Sequence, residues 1–121
     1  MSRVRAAAAP RWLRACGAVL AALAVALAAY ASHAADPATR GQLQTAALFA
    51  FGHGIALAAL AGSAASRLAL GALAMLLAGS LLFCGALLAR SLWGLSSAPA
   101  PFGGMLLIGG WLLYAFAALR D

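Results

Sequence analysis

The chain has 121 residues, of which 66% are apolar and ten are charged, with a mean hydropathy of +1.00. All eight basic residues are arginine, against two aspartates, for a formal net charge of +6. This composition excludes an ordinary soluble domain, and the length suits four membrane crossings with no separate soluble domain.

Residues 1–14 form a basic lead-in with Arg3, Arg5, Arg11 and Arg14 around an alanine run broken by Pro10, and with Trp12 suited to the headgroup level. Residues 15–32 follow without a charge and predict a first span. A basic start, an apolar stretch and the small-x-small sites Ala29/Ala31 and Ser32/Ala34 are also the parts of a secretory signal. The apolar stretch exceeds the usual signal length and three more hydrophobic spans follow, so an uncleaved helix is expected. In the first connection, Asp36-Pro37 is a helix start, with aspartate at the N-cap and proline at the first helical position.

The second span, residues 44–62, is the only apolar run with an ionisable side chain near its middle, His53. A row of small residues, Ala46, Ala50, Gly54, Ala58 and Gly62, recurs every four positions and predicts a face on which neighbouring backbones come close. A tight turn with Ser63, Ser66 and Arg67 leads to the third span, residues 68–89, where Gly71, Ala74, Ala78 and Gly85 predict a second small-residue face and Arg90 marks the end. Residues 91–100 form the longest connection. Pro101-Phe102-Gly103-Gly104 opens the fourth span, residues 102–119.

The expected fold is therefore an all-α integral membrane four-helix bundle in a single domain, residues 1–121. Arg3, Arg5, Arg11, Arg14, Arg67 and Arg120 fall on one side and Arg40 and Arg90 on the other, which predicts that both termini are cytoplasmic. In a soluble protein this arginine excess would raise nucleic acid as a partner; here it flanks apolar segments, and no nucleic-acid partner is expected. Cys16 and Cys84 fall near opposite faces of the bilayer, too far apart for a disulfide, and are read as small apolar fillers.

The chain resembles the small four-helix inner-membrane proteins of the domain of unknown function 423 family, also called the transmembrane protein 256-like family. The family's G-A-F-G-A-H-G ending of the first helix is similar to Ala28-Ala29-Tyr30-Ala31-Ser32-His33-Ala34, and its aromatic-x-x-x-H-A-L stretch to Phe49-Ala50-Phe51-Gly52-His53-Gly54-Ile55. Its L-F-x-G-S-L-Y and T-P-x-G-G stretches are similar to Leu82-Phe83-Cys84-Gly85-Ala86-Leu87-Leu88 and Ala100-Pro101-Phe102-Gly103-Gly104, and its G-W to Gly110-Trp111. The likeness covers residues 23–119; Ala28, Ala31 and Ala34 in place of glycine and Gly52 in place of an aromatic mark a divergent member. It implies the fold, a multi-pass place in a bacterial inner (plasma) membrane, and motif positions for both histidines. The family has no established activity.

His53 is the sharpest candidate for function, because an ionisable residue within a span is costly and by default marks a site. The competing role is a neutral imidazole hydrogen-bonded across the bundle to Gln44, Ser80 or a backbone carbonyl, and with no carboxylate at similar depth this packing role is favoured. His33 sits near the outer interface, where its imidazole would cap carbonyls. A haem shared by the two histidines is disfavoured by a depth offset of about 14 Å at 1.5 Å per residue. A metal held by His53 and Cys84 lacks a third ligand. No cofactor is expected, and no enzyme, since the serines lack a base and no nucleotide motif occurs. Proton-coupled exporters of this size use a membrane-embedded carboxylate, and Asp36 and Asp121 both lie outside the spans. The function expected is a structural or accessory component that packs in the lipid bilayer with itself, as a homo-oligomer, or with a larger membrane complex; the alternative is a small transporter or channel-like protein with His53 lining a polar path.

Overall fold

The computed structural model describes residues 10–33 and 35–121; Arg3, Arg5, most of the lead-in and Ala34 lie outside the described residues. There are four long helices, α1 (Pro10–His33), α2 (Pro37–Leu60), α3 (Arg67–Trp93) and α4 (Ala100–Arg120), with a short 3-10 turn at Ala61–Ser63 and no strand among the described residues. Each is long and apolar enough to cross a membrane.

Local chemistry sets the helix ends. Asp36 caps α2, its side chain accepting from the Ala38 N–H at 3.3 Å, and Pro37 supplies a first residue that needs no donor. Ser66 caps α3 in the same way, accepting from the Ala69 N–H at 3.1 Å. The third helix does not stop at Arg90. It continues to Trp93 and ends where Gly94 takes a left-handed conformation, φ 67°, and its N–H closes onto the Arg90 carbonyl at 2.9 Å. A single arginine cannot end a helix, whereas a glycine free of Cβ strain can.

The helices run alternately up and down. At one end the Arg14 side chain lies beside Gly62, and the Ser66 hydroxyl donates to the Asp121 carboxylate at 2.6 Å. At the other end Ser91 Oγ donates to Gln42 Oε1 at 3.0 Å. Packing is densest within the pairs α1–α2 and α3–α4, and the α2–α3 contact joins the pairs.

Glycine decides how close the pairs come. A Cβ on Gly54 would fall 2.7 Å from the Ala21 nitrogen and the Gly17 carbonyl oxygen, so the α1 and α2 backbones touch where Gly17 meets Gly54. In the second pair, a Cβ on Gly103 would lie 2.5 Å from the Phe83 nitrogen. Such approaches give dispersion contact along whole backbones, the main source of helix association where lipid tails are as apolar as the side chains. Among the described residues the fully buried large apolar side chains are Leu43, Leu57, Leu73 and Leu76. Large apolar side chains are also widely exposed, among them Val19, Leu48, Leu81, Met105 and Leu112, an outer surface suited to hydrocarbon.

Two expectations about small-residue rows need correction. Gly62 leaves the α2 face because the helix gives way to the 3-10 turn, and it is exposed. On α3, Ala74, Ala78 and Gly85 are exposed, and a Cβ on Gly71 or Gly85 would meet nothing within 4 Å. The buried face of α3 is carried instead by Ala69, Ala72, Leu73, Leu76, Gly79, Ser80 and Cys84. This helix is apolar on every side, so four-residue spacing of small residues did not mark which side packs.

Candidate functional site

His53 is half-buried on α2, facing α4. The Trp111 indole Nε1–H donates to His53 Nε2 at 3.0 Å, and His53 Nδ1 lies 2.8 Å from the Phe49 carbonyl oxygen one turn earlier. Indole N–H is a donor only, so Nε2 must accept; the proton is then on Nδ1, which donates to the carbonyl. The imidazole is neutral in this arrangement and both nitrogens are occupied.

Aromatic rings surround it. Phe49 stacks on the imidazole with centroids 5.9 Å apart and planes 12° apart, and Phe49 meets Phe83 of α3 at 4.8 Å. Trp111 lies 5.8 Å from the imidazole centroid and meets Tyr114 edge-on at 6.2 Å. The cluster thus ties together α2, α3 and α4, and each such ring pair adds about 0.5–1.5 kcal/mol beyond simple burial.

Of the partners read off the sequence, a backbone carbonyl is met, that of Phe49 on the same helix rather than across the bundle, and Gln44 and Ser80 are not. Gln44 stands nine residues before His53 on the same helix, which puts it about 180° round and about 14 Å away along the axis. Ser80 is fully buried, its hydroxyl without a partner among the described residues, and it borders the cleft between α1 and α3. Trp111, the actual partner, was missed. Its signal was depth: α2 and α4 run the same way, and the two residues stand seven and nine positions before their helix ends.

Ala46, Ala50 and Gly54 are buried, and Ala58 is half-buried. Cys84 does more than fill space, because its thiol donates to the Ala46 carbonyl at 3.3 Å. Cys16 is also a free thiol. His33 is exposed at the end of α1, and the carbonyls near it are taken by Arg40: Nε donates to Ala31 at 3.1 Å and a terminal nitrogen to Ala35 at 3.3 Å. Among the described residues no three His, Cys, Asp or Glu side chains gather as metal ligands.

The two clefts beside the central α2–α3 pair are unlike. The α2–α4 side is filled by the aromatic cluster. The α1–α3 side is a groove of about 670 Å³ lined by Leu20, Leu27, Tyr30, Leu81 and Leu88 with Ala50 at its base.

A family model described as Protein of unknown function (DUF423) matches residues 27–104, more than half of the chain. No curated protein and no solved structure matches it. The matched stretch includes His33, His53 and the Ala100-Pro101-Phe102-Gly103-Gly104 motif, while Gly110-Trp111 lies beyond it. With its four apolar helices and its histidine motifs on α1 and α2, the chain belongs to the DUF423 family of proteins of unknown function.

Proposed function

We propose that this chain is a multi-pass protein of a bacterial inner membrane, with both termini cytoplasmic, that acts as a structural or accessory component without catalytic activity of its own. The observation that supports this most is the state of His53. Its nitrogens are both engaged within the protein, one by Trp111 and one by the Phe49 carbonyl, which leaves no lone pair for a ligand and no open proton acceptor. The polar group that composition marked as costly thus acts as a bolt between α2 and α4. The open row Gly71, Ala74, Ala78 on α3 offers a close-packing face for another helix, from a second copy or from a larger membrane complex.

The test is His53→Ala in the purified protein, followed by thermal unfolding in detergent and by proton flux in proteoliposomes. The expected result is a lower melting temperature and no pH-dependent flux from either protein. A variant as stable as the parent that abolishes a measurable pH-dependent flux would overturn the accessory role in favour of transport.

A further inference from the structure

At the end of the molecule where α1 begins and α2 finishes, a slot of about 380 Å³ opens between the two helices. Its lining is Arg11, Arg14, Ala15, Ala18 and Ala58. Arg11 and Arg14 are three residues apart, hence neighbours on one helix face. Beyond them the lining is methyl groups only, so the slot pairs a doubly cationic rim with an apolar floor.

Arg14 lies beside the 3-10 turn at this rim. The atoms Cδ, Nε and Cζ lie 3.6–3.9 Å from where a Cβ on Gly62 would sit, so the side chain rests against the 3-10 turn. Among the described residues neither guanidinium is matched by a carboxylate. Asp36 caps α2 at the opposite end, and Asp121 accepts from Ser66. These are the only two acidic side chains in the sequence, and residues 1–9 add two more arginines. Arg40 at the other end differs, since its guanidinium is bonded to the Ala31 and Ala35 carbonyls.

We propose that this slot binds one anionic phospholipid, its phosphate held by Arg11 and Arg14 and one acyl chain laid over Ala15, Ala18 and Ala58. Charge complementarity selects an anion, and the planar guanidinium fork suits phosphate oxygens. The methyl floor selects an anion that carries a hydrocarbon chain, and basic pockets between membrane helices bind lipid headgroups by this combination. The site rests on the membrane placement proposed above.

The experiment uses the full chain purified in mild detergent, with phosphatidylglycerol, phosphatidylcholine or inorganic phosphate added, and bound lipid counted by native mass spectrometry. One phosphatidylglycerol should be retained, phosphatidylcholine should not compete, and Arg11→Gln/Arg14→Gln should weaken retention by at least about tenfold. Arg90→Gln, which removes one positive charge at the other end, should leave retention unchanged, and Ala18→Leu, which fills the slot and keeps both arginines, should lower it. Circular dichroism checks that each variant keeps its helices. Equal retention of the two lipids, or full retention by the double variant, overturns the proposal; displacement of the lipid by equimolar inorganic phosphate assigns the site to free phosphate and overturns it too. Carbonate extraction of the chain from membranes would refute the membrane placement, an outcome read separately from lipid retention in detergent.

Discussion

At the scale of single residues, the His53–Trp111 contact turns an expensive side chain into an internal fastener. A histidine in an apolar span must find partners for two ring nitrogens, and its own helix supplies only one, the Phe49 carbonyl. The second comes from α4, so the residue is satisfied only when α2 and α4 are in register. Trp111→Phe keeps a ring in the cluster but removes the donor, leaving Nε2 unpaired. The expected loss is about 0.6–2 kcal/mol, the range for hydrogen bonds between membrane helices. Unfolding of the single variants and of Trp111→Phe/His53→Ala measures it, with the double variant losing less than the sum of the two. Strict additivity would show that the contact contributes nothing.

At the scale of helices, the determinants are the glycines at the crossings, and their roles differ with position. Gly54 has backbone of α1 within 2.7 Å of a would-be Cβ, whereas Gly52, two residues earlier, has nothing within 4 Å. Gly54→Val should therefore force α1 from α2 and cost at least about 1–3 kcal/mol, the range for overpacking. Gly52→Ala should be neutral or stabilise by up to about 1 kcal/mol through reduced backbone freedom. Detergent melting temperatures in the order Gly52→Ala, parent, Gly54→Val check this, and an unchanged Gly54→Val would overturn the crossing. The number of helices, the start of α2 at Asp36-Pro37 and the presence of Gly54 on a packing face were legible in the sequence, because apolar run length, capping chemistry and four-residue spacing are local signals. The packing side of α3 was not, since Gly71, Ala74 and Ala78 form as regular a row as the buried residues do. Nor was the partner of His53, which lies 58 positions away in the chain; only the up-down order, which runs α2 and α4 the same way, brings Trp111 to its depth.

At the scale of the whole molecule, the distribution of arginine argues for one orientation. The up-down order gathers Arg11, Arg14, Arg67 and Arg120 at one end, near the Ser66–Asp121 contact, and puts Arg40 and Arg90 at the other. Arg3 and Arg5 precede Arg11 in the sequence and add to the first group if the lead-in stays on its side. Short loops and flanks rich in arginine remain in the cytoplasm, so both termini should face it. In the proposed orientation the Arg11–Arg14 rim would face the cytoplasmic leaflet and its anionic headgroups. A fluorescent protein fused after Asp121 should therefore mature and fluoresce, and an alkaline phosphatase fused there should be inactive, whereas phosphatase inserted in the connection at residues 94–99 should be active. The opposite pattern would reverse the orientation. Adding four arginines within residues 94–99 brings the count on that side to six, equal to the other; if arginine count sets the topology, the fusions should then report a mixture of orientations, and an unmoved topology would show that something other than arginine number fixes it.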